Sequence, residues 1–274
     1  MDGAPQHPDV WRAIDAQPTA AKLADTLELR GRTPAQVRLR RRFLRFVPVR
    51  PGQRVLEIGC GTGVVLRDLM ALVGRRGEVT GVDVSRTMLT RARALARGLA
   101  GAPLRLRHGD GHDLPFGPAR FDVALAITVV LHVTDPLRVV KELARVTRPG
   151  GRVGVQDQDF GLVGAAHPDR ALTDRILDGV ALRIYEEPYS GRRLPALLRE
   201  AGLEHVRLLT DVYQDTALTA FSRVFLERRA ENAVRFGIVD APSAERWLDG
   251  FNEYLARGAF VLTMNYFGAV GVKR

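Results

Sequence analysis

The chain has 274 residues, 46% of them hydrophobic, which suffices for one large domain with a buried core. Its single cysteine, Cys60, excludes an internal disulfide and a cysteine-based metal site, and no apolar run reaches the roughly 18 residues of a membrane-spanning helix. The net charge of +10 allows an anionic partner, but arginines supply nearly all of it, and most of them alternate with apolar residues on what we interpret as solvated helix faces.

The first fifty residues contain two predicted helices. Ala20–Leu29 repeats its leucines at one helical turn. Thr33 and Pro34 supply a hydroxyl N-cap and a proline at the first helical position, and the helix that they begin ends near Val47. A dense basic cluster on this helix consists of Arg38, Arg40, Arg41, Arg42 and Arg45. We expect residues 1–50 to form a helical cap.

The stretch Val55–Gly63 joins a short apolar run to a glycine-rich turn. The glycines lie at alternate positions, Gly59, Gly61 and Gly63, and a segment long enough for a helix follows at Val64–Val73. Strand, glycine turn and helix begin a nucleotide-binding βαβ unit, because glycine permits a tight turn and a close approach of a ligand to the backbone. Glu57 at the end of this strand can face a cation. Asp83, at the end of the next strand, can accept hydrogen bonds from both hydroxyls of a ribose.

Strands and helices then alternate along the middle of the chain. The predicted strands are Arg54–Ile58, Glu78–Asp83, Leu104–His108, Phe121–Ile127 and Arg152–Asp157, and helices are predicted from Val64, Ser85 and Asp135. Phe121–Ile127 is nearly all apolar, as expected of a strand that is buried on both faces. Such alternation is typical of a parallel, doubly wound sheet.

The last third of the chain is richer in helices. The predicted helices are Pro168–Glu187, Ser190–Ala201, Leu218–Phe236 and Ser243–Leu255, and the predicted strands are Glu204–Asp211 and Ala259–Lys273. We expect one domain of residues 51–274 with helical insertions at about 161–189 and 217–257. We expect Arg38–Val47, Pro168–Pro188 and Phe221–Tyr254 to form the substrate pocket, because these segments carry enough apolar and aromatic side chains to hold an apolar or aromatic small molecule.

The order and spacing of these motifs resemble the class I S-adenosylmethionine-dependent methyltransferases, and among them the small-molecule enzymes that include the ubiquinone and menaquinone methyltransferases. The motifs cover about the middle third of the chain and are Val55–Gly63, Asp83, Gly109-Asp110-Gly111 with Leu114-Pro115-Phe116, Phe121-Asp122-Val123, and Arg148-Pro149-Gly150-Gly151. The resemblance implies an α/β, Rossmann-like, doubly wound sheet of seven strands, mostly parallel with an antiparallel C-terminal hairpin. It also implies methyl transfer from S-adenosylmethionine to an O, N or C atom of a small organic acceptor in secondary metabolism, with S-adenosylhomocysteine as product.

By the same resemblance, the methyl donor is held at both ends. The residues expected to contact it are Glu57, Gly59, Cys60, Gly61, Gly63, Asp83, Val84, Met88, Asp110, Gly111 and Ile127. The glycine loop takes the methionine part, and Glu57 orders the loop or faces the amino group. Asp83 takes the ribose, Asp110 accepts the adenine amino group, and Met88 and Ile127 cover the two faces of the ring. An arginine of the N-terminal cap is expected to reach the donor's carboxylate.

Methyl transfer to a hydroxyl, a phenol or an acidic C–H requires a base. His132 follows the fourth strand within Thr128–Val133, where the resembled family places substrate-facing residues, and histidine titrates near neutrality. The alternative is that His132 only caps a helix or lines the pocket. Asp157 and Asp159, beyond the fifth strand, could bind a substrate amine, ligate a metal or be solvated. No group of residues has convincing metal-ligand spacing, so no metal site is predicted.

Three other functions stay open at this point. A nicotinamide dinucleotide requires the spacing G-x-G-x-x-G, and here the third glycine comes one residue early. An RNA-modifying enzyme would account for the positive charge, although no appended RNA-binding module is visible and we do not expect nucleic acid. A repurposed fold of this kind could also bind the donor structurally while it catalyses a cyclisation, or could only bind and signal.

The remaining expectations concern the location and assembly of the protein. Met1–Val10 has no basic start followed by an apolar run, so we expect no secretory signal, no membrane association and a cytoplasmic protein. The arginine-rich face and the aromatic C-terminal helices are compatible with a homodimer.

Overall fold

A computed structural model describes residues 9–274 of the chain. In this part, seven strands form one sheet: β1 (Arg54–Ile58), β2 (Glu78–Asp83), β3 (Leu104–His108), β4 (Phe121–Ile127), β5 (Thr147–Ala165), β6 (Leu203–Asp215) and β7 (Leu262–Lys273). Their order across the sheet is β3-β2-β1-β4-β5-β7-β6. The pairs are parallel except that β7 runs antiparallel to both β5 and β6. The predicted fold class is therefore confirmed.

Helices follow the strands in the predicted order. They are α1 (Ala20–Arg32), α2 (Pro34–Phe46), α3 (Val64–Val73), α4 (Arg86–Ala96), α5 (Pro136–Val146), α6 (Arg170–Ile184), α7 (Ser190–Glu200), α8 (Ala220–Arg235) and α9 (Ala241–Ala256), with short 3₁₀ helices at Val10–Ala16 and Val130–His132. Thr33, Ser85 and Asp135, predicted to begin helices, each accept a backbone N–H with the side chain. No helix within residues 9–274 is both long and apolar enough to cross a membrane.

Two hydrophobic cores lie on opposite faces of the sheet. On one face α2, α3 and α4 bury side chains such as Phe43, Leu66 and Leu89. On the other face α5 and α7 bury side chains such as Leu143 and Leu194. Because both faces are covered, the central strands are almost wholly apolar, and polar side chains concentrate where these strands end.

A third core joins α6, α8 and α9 to the outer part of β7. Its members include the fully buried Ile176 and Trp247 and the β7 side chains Met264 and Tyr266. Helix α6 falls in the first predicted insertion, and α8 and α9 fall in the second. The division into a cap of residues 1–50 and one domain with two insertions stays a prediction, and Met1–Pro8 lie outside the described residues.

Strands β5 and β6 are longer than predicted. The sequence predicts that β5 ends at Asp157, but it continues to Ala165, and β6 continues past Asp211 to Asp215. Both extensions pair with β7, where Gly164 lies opposite Thr263 after a register shift. Cross-strand pairs of this kind connect residues far apart in the chain, so the local sequence pattern does not reveal them.

Candidate functional site

A cavity of about 690 Å³ opens at the carboxyl ends of the central parallel strands, the edge at which such sheets bind ligands. Ten of the residues predicted to contact a ligand line this cavity: Glu57, Gly59, Cys60, Gly61, Asp83, Val84, Asp110, Gly111, Ile127 and His132. Gly63 and Met88 do not. The structure therefore brings together residues that are up to 75 positions apart in the chain, counted from Glu57 to His132 (132 − 57).

The glycine loop after β1 has a backbone that only glycine adopts easily. Gly59 and Gly61 have φ values of 58° and 51°, and a Cβ on Gly59 would lie 2.5 Å from the Val129 side chain. Asp83 holds this loop: its carboxylate accepts the N–H of Gly61 at 2.7 Å and the N–H of Ser85 at 2.9 Å. Each carboxylate oxygen keeps a further lone pair for a ligand hydroxyl.

Glu57 lies near the end of β1, just before the glycine loop, and lines the cavity. Its side chain is buried, and its Oε2 has no hydrogen-bond partner in residues 9–274. Burial raises the pKa of Glu57 well above its usual value, the negative charges of Asp83 and Asp68 raise it further, and the positive charge of Arg40 opposes the change. A buried, unpaired carboxyl group on the cavity wall is suited to a ligand cation.

The predicted arginine cluster contributes one member to the cavity wall, Arg40 of α2. Its Nε donates to Asp68 at 2.6 Å, and its guanidinium also contacts the carbonyl oxygen of Gly31 at 3.2 Å. Arg30 of α1 lines the same wall and donates to the hydroxyls of Thr128 and Tyr266. Both arginines can bind a ligand carboxylate beside Glu57.

Asp110 and His112 form a pair after β3. Asp110 Oδ1 lies 2.8 Å from the His112 backbone nitrogen and 2.6 Å from His112 Nδ1, and these contacts lower the pKa of Asp110 against the opposing effect of burial. His112 Nε2 is buried and has no hydrogen-bond partner in residues 9–274. The pair presents two acceptors to the cavity if Nδ1 carries the proton, which suits a ligand amino group.

Met88 and Gly63 have other surroundings. Met88 is fully buried in a small core with Ile14, Leu23 and Ala24, so contact with a ligand would require that core to open. Gly63 begins α3 with a φ of 78°, and a Cβ there would lie 3.2 Å from Ala92 of α4. Its role in the structure is close packing of α3 on α4.

His132 lies at the other end of the cavity, on the 3₁₀ turn after β4. Its Nδ1 is 2.5 Å from Oδ2 of Asp9, a side chain with no exposed surface. His132 lines the cavity, and its Nε2 makes no hydrogen bond within residues 9–274. The carboxylate of Asp9 fixes the orientation and tautomer of the imidazole, as in catalytic Asp–His pairs.

Asp157 and Asp159 lie behind this end of the cavity and do not line it. Asp157 accepts the Leu131 N–H at 3.1 Å and the Ser190 hydroxyl at 3.2 Å, which holds the turn that carries His132. Burial raises the pKa of Asp157 to about 7. Asp159 pairs with Arg192, so it is neither solvated nor aimed at a substrate. Within residues 9–274 no group of three His, Cys, Asp or Glu side chains could hold a metal ion.

Several residues at this end were not predicted as site residues. Asp9 precedes the first helical pattern, and Arg229 is one of many arginines on helical segments. Tyr266 accepts hydrogen bonds from Gln36 at 2.8 Å and Gln158 at 2.9 Å on the cavity wall. None belongs to a short motif, because each reaches the cavity through tertiary packing.

Comparisons with known proteins agree with this geometry. Residues 56–155 match the family described as Methyltransferase domain. An uncharacterized 37.1 kDa protein in transposon TN4556 of Streptomyces fradiae is 33% identical over 83% of this chain and 65% of its own length. The O-methyltransferase cnsE of Penicillium expansum is 29% identical over 78% of this chain and 70% of its own. The demethylmenaquinone methyltransferase of Bacillus cytotoxicus is 35% identical over 42% of this chain and 48% of its own.

Solved structures show the same fold at low sequence identity. The phosphoethanolamine N-methyltransferase 2 of Haemonchus contortus, in complex with phosphomonomethylethanolamine and S-adenosylhomocysteine, has a TM-score of 0.62 at 18% identity, over 96% of this chain and 60% of that one. The cyclase SpnF has a TM-score of 0.57 at 23% identity, over 98% of this chain and 97% of that one. The matched domain, the relatives and the shared fold together support a class I S-adenosylmethionine-dependent methyltransferase.

Proposed function

We propose that this protein transfers a methyl group from S-adenosylmethionine to a small organic acceptor that loses a proton in the reaction. The observation that carries the proposal is that one cavity joins the glycine loop, Glu57 and Asp83 at one end to the His132–Asp9 pair at the other. The relatives described above support the proposal. The chain spans about two thirds of the length of the Streptomyces fradiae relative and about half of the length of the Bacillus cytotoxicus relative.

The donor end fits S-adenosylmethionine group by group. Glu57 Oε2, which lacks a partner among the described residues, would receive the amino group, and Arg40 or Arg30 the carboxylate. Asp83 would accept the ribose hydroxyls. Asp110, with His112 Nε2 beside it, would accept the adenine amino group.

The protein has to align the acceptor with the methyl group and to remove a proton from the acceptor. When bound, S-adenosylmethionine would supply a methyl group on a sulfonium, whose carbon–sulfur bond breaks as the methyl carbon bonds to the acceptor atom, with S-adenosylhomocysteine as the product. His132 Nε2 takes the acceptor's proton, and Asp9 stabilises the imidazolium that results. The cavity walls exclude water and hold the acceptor in line, which can contribute about 7–11 kcal/mol.

We further propose that the acceptor atom is oxygen and that the reaction belongs to secondary metabolism. A hydroxyl or phenol needs the base that His132 supplies, whereas a free amine presents a lone pair without one. One relative is named an O-methyltransferase, which supports this choice. The likeness to SpnF concerns the fold alone and does not favour a cyclisation over methyl transfer.

Calorimetric titration with S-adenosylmethionine and S-adenosylhomocysteine tests the donor site. We expect micromolar binding of both by the wild type and at least tenfold weaker binding by Asp83→Ala. Unchanged affinity in that variant would contradict the role of Asp83, and failure of both ligands to bind the folded wild type would contradict the proposed function.

Replacement of His132 tests the base. With a phenolic acceptor found by screening, we expect His132→Ala to lower kcat at least 10²-fold and to leave the affinity for S-adenosylhomocysteine within twofold. The ratio of wild-type kcat to His132→Ala kcat should become smaller at pH 9–10, where a phenol begins to ionise without a base from the protein. His205→Ala, on β6 away from the cavity lining, is the matched control. Full activity of His132→Ala at pH 7 would remove His132 as the base.

A further inference from the structure

Arg229 of α8 lies at the acceptor end of the cavity as a buried charge that has no acidic partner within residues 9–274. Its side chain is 4% exposed. Its Nη2 donates to the Tyr185 hydroxyl at 3.1 Å, and its Nη1 is buried without any hydrogen-bond partner in the described chain. Other arginines with little exposure pair with acids, as Arg67 does with Glu28. Arg229 makes no such ion pair among residues 9–274.

Three aromatic rings hold the Arg229 guanidinium in place. Its central carbon lies 4.8 Å from the ring centre of Phe160, 4.9 Å from that of Phe225 and 5.4 Å from that of Tyr185. The rings of Phe160 and Tyr185 also stack on each other at 4.4 Å. Cation–π contacts of this kind stabilise the guanidinium, but they do not neutralise it, and arginine keeps its charge at any relevant pH.

The same helix face adds further positive charge. Arg228 and Arg235 of α8 line the cavity together with one acid, Glu231. Burial lowers the pKa of Arg228, and the neighbouring Arg229 lowers it further. Asp9 is a buried acid that acts electrostatically on Tyr185, but it is hydrogen-bonded to His132. A buried cation left unpaired is costly, and residues 9–274 supply no acidic partner for Arg229, so this end of the cavity suits the anionic group of a ligand.

We propose that the methyl acceptor is an organic anion, and that an oxygen of its carboxylate or phosphate group accepts a hydrogen bond from Arg229 Nη1. This inference rests on the proposed function and narrows its substrate class. The rings of Phe160, Phe225 and Tyr185 leave apolar surface for the body of the acceptor. The His132 ring lies 5.4 Å from that of Tyr185, so base and anion site share one wall.

Matched ligand pairs test the proposal on the full chain loaded with S-adenosylhomocysteine. The probes are benzoate, cinnamate, indole-3-acetate and octanoate, each with its primary amide, and phenyl phosphate with phenol. Binding is measured by calorimetry and by the fluorescence of Trp11, which lines the cavity. We expect at least one anion to bind tenfold or more tightly than its neutral partner. The comparison of phenyl phosphate with benzoate separates phosphate from carboxylate recognition.

Substitution of Arg229 tests whether this side chain causes the preference for anionic ligands. Arg229→Gln should reduce the preference for the anion to less than threefold, and Arg223→Gln, an exposed position on the same helix, should keep it. Retained affinity for S-adenosylhomocysteine shows that Arg229→Gln is folded. If no anion binds the loaded wild type more tightly than its neutral partner, or if Arg229→Gln keeps the preference, the inference is wrong. A wild type that fails to bind S-adenosylhomocysteine would contradict the proposed function instead.

Discussion

At the scale of single residues, Glu57 is the group whose ionisation a ligand should change most. It is 2% exposed, lacks a partner for Oε2 in the described chain, and has a pKa raised by burial. A group with a raised pKa holds its proton to higher pH than usual. An ammonium group placed beside it favours the carboxylate and lowers that pKa again.

We therefore expect proton release when S-adenosylhomocysteine binds. Between the lowered pKa of the complex and the raised pKa of the free protein, Glu57 loses its proton on binding. The enthalpy measured by calorimetry at pH 6.5 should then differ between phosphate and imidazole buffers. Glu57→Gln should lose most of this difference and bind about tenfold more weakly, a change of about 1.4 kcal/mol.

Glu78→Gln is the matched control for this measurement. Glu78 is the first residue of β2, at the amino end of the strand and therefore away from the cavity, and it pairs with Arg105. The Glu78→Gln variant should keep the wild-type affinity for S-adenosylhomocysteine and the wild-type dependence of the binding enthalpy on the buffer. A wild-type enthalpy that is the same in both buffers would show that Glu57 does not change its protonation state on binding.

The two ends of the cavity differ in how far the sequence predicts them. Gly59, Asp83 and Asp110 follow strand ends at fixed spacing, so a local pattern suffices to place them at one edge of the sheet. Asp9 and His132 are 123 positions apart, and no local pattern joins them. Arg229 is distinguished only by its burial without an acidic partner among the described residues, and that property appears only after folding.

At the scale of elements, the segment Val10–Ala16 connects both ends of the cavity. Asp9, just before it, contacts His132, and Arg12 pairs with Glu186. Asp15 accepts the Ser85 hydroxyl at 2.6 Å and the backbone N–H groups of Arg86 and Thr87 at 2.8 and 3.2 Å, at the start of α4. These hydrogen bonds lower the pKa of Asp15 to about 2, although burial opposes them.

We expect Asp15→Ala to loosen this segment. The loss of a side chain that caps the first turn of α4 should lower the free energy of unfolding by about 1 kcal/mol. S-adenosylhomocysteine should also dissociate several-fold faster, as measured by stopped-flow fluorescence of Trp11. Asp25→Ala removes an exposed acid of α1 that pairs with Arg91 and should change neither quantity. Equal dissociation rates in all three proteins would show that the segment does not retain the ligand.

Local sequence patterns predict the ends of the helices better than the ends of the outer strands β5 and β6. Thr33 and Asp135 begin helices where a side-chain cap and a following proline predict it. The extension of β5 from Asp157 to Ala165 depends instead on β7, about a hundred residues later. Hydrogen bonds between distant strands are not encoded in the segment that they lengthen.

At the scale of the whole molecule, Asp157 links stability to pH. The side chain has no exposed surface, and its Oδ1 has no hydrogen-bond partner in the described chain. Burial raises its pKa from 3.8 to about 7, and the positive charge of His132 opposes this. Between these pH values the folded chain holds a proton that the unfolded chain has lost. The contribution of Asp157 to stability therefore falls as the pH rises from about 4 to about 7 and stays low above that.

We expect Asp157→Asn to stabilise the protein at pH 8 and to have little effect at pH 4.5. The pKa change corresponds to at most about 4 kcal/mol, and the asparagine oxygen can still accept the Leu131 and Ser190 hydrogen bonds. Thermal unfolding at both pH values measures the difference. Asp249→Asn, an exposed change on α9, should shift neither midpoint. A Tm gain of Asp157→Asn that is equal at both pH values would contradict the linkage.

The segment Val10–Ala16, with Asp9 before it, also bears on the order in which ligands bind. Asp15 contacts the start of α4, Asp9 contacts His132, and Val10, Trp11 and Ile14 line the cavity. Because donor and acceptor would share this one cavity beside the segment, we expect that they do not exchange independently of each other. Steady-state kinetics should therefore follow a compulsory sequence, with the donor first in and its demethylated product last out. That product should compete with S-adenosylmethionine and not with the acceptor.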